Sequence, residues 1–287
     1  MDARLQQRIQ RYGWDRAAPV YQQAWQDQLA PAQRLLLEMA APARGEAVLD
    51  VACGTGLVSL PAAQAVGPLG RVLGCDISGA MVEAAAEAAT AAGLTQAEFR
   101  RVAGEALAFA PAEGGFDLAL CSLGLMYMAE PEAALAAMAR ALKPGGRCAV
   151  LVWGEQRNCG WAELFPIVDR RVASEVCPLF FRLGSGDALQ CSLEDAGFNR
   201  IAIRRLTCSL HFSDDREAVM AAFDGGAVAL AVARFDQDTY AATATEYLES
   251  LAPWRNGEGY DVPGEFVVAV GTKPSNQTIE GGDYGQR

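Results

Sequence analysis

The chain has 287 residues, of which 51% are hydrophobic and 21% charged, and it carries a formal net charge of -11. That composition is too apolar for a disordered chain, and the length suits one large domain or a core with a smaller cap. The acidic excess, 35 carboxylates against 24 lysines and arginines, repels phosphate backbones and makes nucleic acid a poor candidate for the main partner. No apolar run approaches the ~20 residues of a membrane helix. The first thirty residues lack an apolar signal segment. The eight cysteines contain no CxxC pair and read as buried free thiols, so a reducing cytoplasm is expected. With His211 as the single histidine, a three-histidine metal site is impossible, and no metal is expected.

Residues 1–30 are polar with spaced aromatics, Tyr12, Trp14, Tyr21 and Trp25, and Pro19 interrupts them. Short helices lying across a body are expected there. Residues 31–41 place leucines on one helical face behind Pro31. Strand, turn and helix then follow: an apolar strand at 47–51, a turn at 53–56, a helix at 57–66, a strand at 70–75 and a helix at 79–92 that stops at Gly93. Further strands are expected at 99–102, 116–121 and 148–153, with a helix at 131–142. This alternation predicts a parallel sheet covered on both faces.

The pattern changes after 155. Residues 160–176 read as helix, another helix closes at 193–197, and strands are expected at 199–206 and 266–270. Two or three helices fall in 213–252 around Gly225-Gly226. The expected division is a helical lid segment at 1–41, a core at 42–212, a helical insertion or cap at 213–262, a final core strand at 263–274 and a flexible tail at 275–287.

The turn Asp50-Val51-Ala52-Cys53-Gly54-Thr55-Gly56 follows a strand and opens a helix. Its glycines let backbone amides approach a ligand, and the helix amino terminus favours a carboxylate or phosphate. The third glycine of the dinucleotide fingerprint would fall at 59, where the chain has Ser59. Asp50 would oppose a pyrophosphate by like charge, whereas it suits an ammonium group. Asp76 lies 22 positions after Gly54 and can accept both hydroxyls of a ribose. An amino acid portion near 50–56 and a nucleoside near 76 are the two ends of S-adenosylmethionine.

On the stretches VLDVACGTG at 48–56, GCDIS at 74–78, FDLALCSLGLMYM at 116–128 and ALKPGGRCAVLVWG at 141–154, the chain resembles the class I S-adenosylmethionine-dependent methyltransferases. It is similar in particular to the small-molecule branch with the ubiquinone and menaquinone biosynthesis enzymes. The resemblance implies an α/β, Rossmann-like, seven-stranded, mostly parallel sheet with an antiparallel last strand. It implies S-adenosyl-L-methionine as cofactor. Asp50, Gly54 and Gly56 match the positions around the methionine moiety, and Asp76 the ribose-binding acid. Ile77 and Met81 match the apolar residues beside adenine, and Ser122 and Leu123 the positions beside the sulfonium and the entering substrate. Tyr21 resembles an aromatic of an N-terminal segment that closes over the cofactor. Relatives carry an aspartate on the adenine amino group where this chain has Ala103, so backbone groups around Gly104, or the Glu105 carboxylate, are expected to replace it.

The expected activity is methyl transfer by direct displacement to a small, apolar or aromatic acceptor, in a monomer or homodimer. Tyr127, Met128, Trp153, Phe223, Phe235 and Trp254 are expected pocket walls. His211 is a weak candidate base, and Arg171, Arg182 and Arg204 could meet a substrate carboxylate or form surface ion pairs. Residues 1–30 and the 213–252 insertion are expected either to cover the site or to pack on the sheet's flank. The alternatives are a nicotinamide-dependent oxidoreductase, which Ser59 and Asp50 disfavour, and an inactive nucleoside-binding protein.

Overall fold

Five segments between residues 47 and 153 become neighbouring parallel strands in the order β3-β2-β1-β4-β5: β1 (Ala47–Val51), β2 (Arg71–Asp76), β3 (Ala97–Arg101), β4 (Phe116–Ser122) and β5 (Leu142–Trp153). The structure is a computed structural model describing residues 3–108, 115–172 and 180–275. All five residues of β1 are buried, and β4 is buried but for Asp117 and Ser122, as strands covered on both faces require. β8 (Gly259–Thr272) runs antiparallel between β5 and β6 (Asn199–Phe212), so the antiparallel strand lies inside the sheet and β6 forms its edge. The two-residue β7 (Arg255–Asn256) pairs with β8 and is an addition to the seven strands expected.

β6 and β8 are longer than the sequence reading allowed. They pair from Asn199↔Thr272 to Phe212↔Tyr260, well past Leu206. Thr207, Cys208 and Ser209 weaken the apolar signal, yet Leu210, Phe212, Tyr260 and Val262 bury their side chains along this ribbon. The final strand therefore begins at Gly259, inside the stretch read as insertion.

The N-terminal segment departs further from the short helices expected. Residues Ala3–Ala40 form one helix, α1, with Pro19 and Pro31 inside it. It spans about 57 Å at 1.5 Å per residue. Each proline removes one N–H and crowds the preceding turn, which bends a helix and breaks it only if nothing compensates. Here compensation comes from burial of Ala17, Ala18, Ala24, Trp25, Leu29, Leu35 and Leu36. The Trp25 indole N–H also donates to the Gly225 carbonyl at 3.0 Å. The Gln28 side-chain amide donates to the His211 carbonyl and accepts its N–H, so it pairs with the edge strand as a peptide group would.

Helices α2 (Ser59–Val66), α3 (Gly79–Ala91) and α4 (Pro131–Ala141) follow their strands as expected. Of the helix read at 160–176, the structure forms only α5 (Leu164–Asp169), and 173–179 lie outside the described residues. Helix α6 (Ala188–Asp195) precedes β6. The insertion contains α7 (Asp215–Val219), a wide π-helical turn at Met220–Asp224, α8 (Ala229–Val232) and α9 (Gln237–Leu251). The tail expected at 275–287 lies outside the described residues beyond Ser275. Every described cysteine is a free thiol, five of them buried. No described helix is long and apolar enough to cross a membrane.

Candidate active site

The carboxyl ends of β1, β2 and β4 meet around three short turns. Gly54 and Gly56 take φ of +54° and +89°, conformations that favour glycine. Ala52 and Leu123 share that left-handed region at +58° and +57°, and non-glycine residues held there cluster at functional sites. A side chain on Gly124 would place its Cβ 2.3 Å from that of Ala52, so the turn after β1 and the turn after β4 touch.

Two buried carboxylates stand beneath these turns. Asp76 accepts the Gly54 N–H at 2.9 Å on one oxygen and the Ser78 N–H at 2.9 Å on the other. Asp50 accepts the Ser59 hydroxyl at 2.5 Å through Oδ2, while its Oδ1 is buried without a partner. Burial pushes Asp50 up to about 7, opposed by the Ser59 hydrogen bond and reinforced by Asp76. Burial likewise pushes Asp76 up to about 6, against the N–H groups of Ser78 and Gly54, with Asp15 adding to the rise. Such a pair of carboxylates calls for a cationic or hydroxyl-bearing ligand. The hydroxyls of Thr55 and Ser122 are also buried and unpartnered.

Helix α1 closes this end. Its Asp15 carboxylate accepts the Ser78 hydroxyl at 2.7 Å and the Ala80 N–H at 3.3 Å, which docks it on the start of α3. A Cβ built on Gly54 would lie 3.8 Å from the Tyr21 ring, so the tyrosine lies over the glycine turn. Beneath it is a cavity. Tyr21, Gly54, Asp76, Ile77, Met81, Gly104, Glu105, Ser122, Leu123, Tyr127 and Met128 all line it. Asp50 lines a smaller adjoining pocket with Gly54, Tyr21 and Ser122. Gly56 lines neither; its Cβ would meet Leu60 at 3.3 Å and Ala85 at 3.4 Å, so it serves the packing of α2 on α3. Glu105 accepts the Ala129 N–H at 3.2 Å, which occupies part of its carboxylate. Ala103 lines an open groove with Arg4, Arg8, Arg11 and Arg101.

Gln7, Gln10 and Trp14 also line this cavity and were missed. With Tyr21 they recur at helical spacing on one face of α1, a signal that reading Pro19 as a break concealed.

A second cavity shares Trp14, Tyr21, Leu123 and Tyr127 with the first. Its other walls include Trp25, Trp153, Trp161, Phe165, Tyr247 and the backbone of Gly225-Gly226. Trp14 packs edge-on against Tyr127 at 5.0 Å and Tyr21 at 5.8 Å between ring centres. Trp153 lines this space, whereas Phe223 and Phe235 line neither cavity. Phe223 is buried against Tyr240 and Tyr247, and the glycines after the π turn take the place facing the cavity. Trp254 packs over Gly160 instead. His211 is exposed, with its ring nitrogen 2.8 Å from Asp261, and lines neither cavity. Arg171, Arg182 and Arg204 pair with Glu246, Glu132 and Glu38. No described residue lining the second cavity carries Asp, Glu, Lys, Arg or His. Burial holds the phenols of Tyr21 and Tyr247 well above their ordinary range.

A methyltransferase-domain family model matches residues 48–146. Nocamycin O-methyltransferase of Saccharothrix syringae is 40% identical over 134 residues, 47% of each chain. Aklanonic acid methyltransferase of Streptomyces is 35% identical over 136 residues, covering 47% of this chain and 61% of the relative. A ubiquinone/menaquinone biosynthesis C-methyltransferase of Pseudomonas fluorescens is 26% identical, covering 62% and 75%. The chain thus spans only about half to three fifths of the length of the first two relatives. Among solved structures, Haemonchus contortus phosphoethanolamine N-methyltransferase 2 with S-adenosyl-L-methionine superposes with a TM-score of 0.57 at 18% identity, covering 91% of this chain and 57% of that one. The [4+2]-cyclase SpnF gives 0.54 at 22%, covering 85% and 80%. At these identities the likeness concerns the fold, and a fold shared by a transferase and a cyclase does not choose the reaction.

Proposed function

Since the chain belongs to the class I S-adenosylmethionine-dependent methyltransferases, we propose that it transfers a methyl group from S-adenosylmethionine to a small, apolar or aromatic acceptor by direct displacement. The observation that carries this reading is the pair of joined cavities, one lined by the buried Asp76 with Asp50 in the pocket beside it, the other walled by aromatic rings.

The residues fit the cofactor. Asp50 offers a buried, unpartnered oxygen to an ammonium group. Asp76 has acceptor capacity left for ribose hydroxyls, and Ile77 and Met81 supply apolar contacts for a base. When bound, the cofactor supplies a methyl group on a sulfonium, an electrophile that needs no acid to activate it. The chain's own contribution is then positioning and exclusion of water. Leu123 and Tyr127, shared by both cavities, stand where the two ligands would meet, and α1 lines both cavities there through Trp14 and Tyr21. The nicotinamide reading is weakened by Ser59, whose hydroxyl donates to Asp50 where the fingerprint would have a glycine.

Both cavities are built from one chain, so a monomer suffices and a homodimer is compatible. The free thiols support a reducing cytoplasm as the place of work. Calorimetry tests the assignment: S-adenosylmethionine and S-adenosylhomocysteine should bind at micromolar strength, about -8 kcal/mol, and NADH should not. A folded sample that binds neither nucleoside contradicts it. Binding without turnover of any aromatic acceptor would favour the inactive nucleoside-binding reading.

A further inference from the structure

The outer face of α1 runs against the charge of the chain that carries it. Positions 4, 5, 8, 12 and 16 recur at helical spacing and are exposed, while Gln10, Gly13 and Ala17 on the other side of the same turns are buried. The exposed set is Arg4, Leu5, Arg8, Tyr12 and Arg16. Leu5 is 41% and Tyr12 49% exposed, and Leu69 alone joins them as an exposed large hydrophobic among the described residues. The one carboxylate in residues 3–18 is Asp15. It is engaged with the start of α3, where it accepts the Ser78 hydroxyl and the Ala80 N–H, and it lies 3.9 Å from Arg11. Arg16 eases the half-buried Asp224. Arg4, Arg8 and Arg11 also line an open groove with Arg101, whose Nε donates to the Ile77 carbonyl at 3.3 Å. A lone exposed leucine or tyrosine is ordinary. Two of them set among arginines on one helix face, in a chain of net charge -11, form a basic and partly apolar strip that calls for a partner.

We propose that this face, from Arg4 to Arg16 with Arg101 beside it, docks on the surface of an anionic lipid bilayer. The arginine groove takes headgroup phosphates, and Leu5 and Tyr12 enter the boundary between headgroups and acyl chains. Guanidinium groups match phosphate oxygens in charge and geometry. A tyrosine, apolar in its ring and polar at its tip, suits that boundary. A leucine gains from an acyl layer and gains little from the solvated backbone of a nucleic acid or an acidic peptide. The acidity of the whole chain does not prevent the contact: at physiological ionic strength, charges farther than about 8 Å are largely screened. The local strip therefore governs the approach, and carboxylates elsewhere turn the other faces away. With two apolar side chains the helix lies on the surface reversibly and does not enter it as a span. The other side of the same turns presents Gln7, Gln10 and Trp14 to the first cavity, so the bilayer would bear on the helix that walls the site. The inference rests on the outer surface alone and does not depend on the methyl-transfer reading.

The test floats the full chain with phosphatidylcholine vesicles, with and without about 30% phosphatidylserine. At about 0.15 M salt it should partition to the anionic vesicles at least about tenfold more strongly than to the neutral ones, and leave them as salt approaches about 0.5 M. Arg4→Gln with Arg8→Gln should lower the partition roughly twentyfold, about fivefold for each arginine, whereas Arg4→Lys with Arg8→Lys should keep it within about threefold. Leu5→Ser with Tyr12→Ser should lower it about tenfold. None of these side chains lines the first cavity, so the affinity of each variant for S-adenosylhomocysteine should match the wild type. Should a variant fail to fold, the lipid and salt dependence of the wild type still decides. No flotation with anionic vesicles, equal flotation with neutral ones, or undiminished flotation of the glutamine pair each overturns the proposal. Capture by polyglutamate or single-stranded RNA without flotation also overturns it and gives the face to a macromolecular polyanion. A wild type that floats but binds no S-adenosylhomocysteine supports the docking surface and contradicts the methyl-transfer reading.

Discussion

The two joined cavities are built on opposite principles. The first is specified by backbone: positive φ at Ala52, Gly54 and Leu123, N–H groups of Gly54 and Ser78 on Asp76, and a carboxylate at the end of each of two strands. The second is specified by side-chain surface, with tryptophans and tyrosines gathered from α1, the segment 153–165 and the insertion. On the proposed methyl-transfer reading, the difference lets a site keep one chemistry and vary its acceptor. Turns that touch the ends of parallel strands tolerate little change, whereas aromatic walls can be resized without disturbing them.

Substitutions that act on one cavity alone should separate the two. The largest effect is expected at Asp76. Asp76→Ala should weaken S-adenosylmethionine by about 2–4 kcal/mol, since it removes a charged acceptor and frees the N–H groups that hold the turn. Equal dissociation constants for variant and wild type would move the ribose elsewhere. Next, Ala227→Phe should fill the second cavity. The acceptor's KM should rise about tenfold or more, while S-adenosylmethionine affinity stays within about twofold. Parallel loss of both would mean that the cavities do not behave as separate subsites.

A smaller effect concerns pH. Asp50 is raised to about 7 from an ordinary 3.8, so the unliganded fold holds a proton that the ligand's ammonium must displace. Affinity should be greatest above pH 7 and fall by up to about tenfold per unit below it. The same shift costs the unliganded protein stability as pH rises from about 4 to 7, because its folded form binds the proton more tightly than the unfolded chain. Asp50→Asn should flatten the affinity profile, which isothermal titration at several pH values would read. The smallest expected effect is dynamic: amide exchange should slow in the first half of α1 and in 213–252 when S-adenosylhomocysteine and an acceptor are added. Protection confined to 50–56 and 76–81 would make these segments static packing.

The same contrast explains what could be read in the residues. Asp50, Gly54, Asp76 and Ser122 were legible because each sits in a contiguous motif at a strand end, where local geometry and chemistry coincide. The aromatic cavity was not. Trp25 and Trp161 look in the sequence like any core aromatics, and only the tertiary fold sets them around one space. Phe223 illustrates the limit: the insertion was read as contributing a wall, but the π turn directs glycine backbone inward and buries the phenylalanine behind it. Pro19 misled for a related reason, because a rule about isolated helices was applied to a helix braced along its length. The extended ribbon of β6 and β8 likewise owes its length to pairing between segments far apart in the chain.

Those long-range braces on α1 also set a schedule. The helix is made before the segments that brace it: Gln28 must wait for His211, 183 residues later, and Trp25 for Gly225, 200 residues later. At about 5–20 residues per second, synthesis alone imposes a delay of roughly 10–40 s. During that interval the apolar stripe of Leu29, Leu35 and Leu36 has no ribbon to lie on, and the nascent chain carries it exposed. Helix α1 is therefore made early and completed late, and its exposed interval is when chaperone capture or aggregation competes with closure.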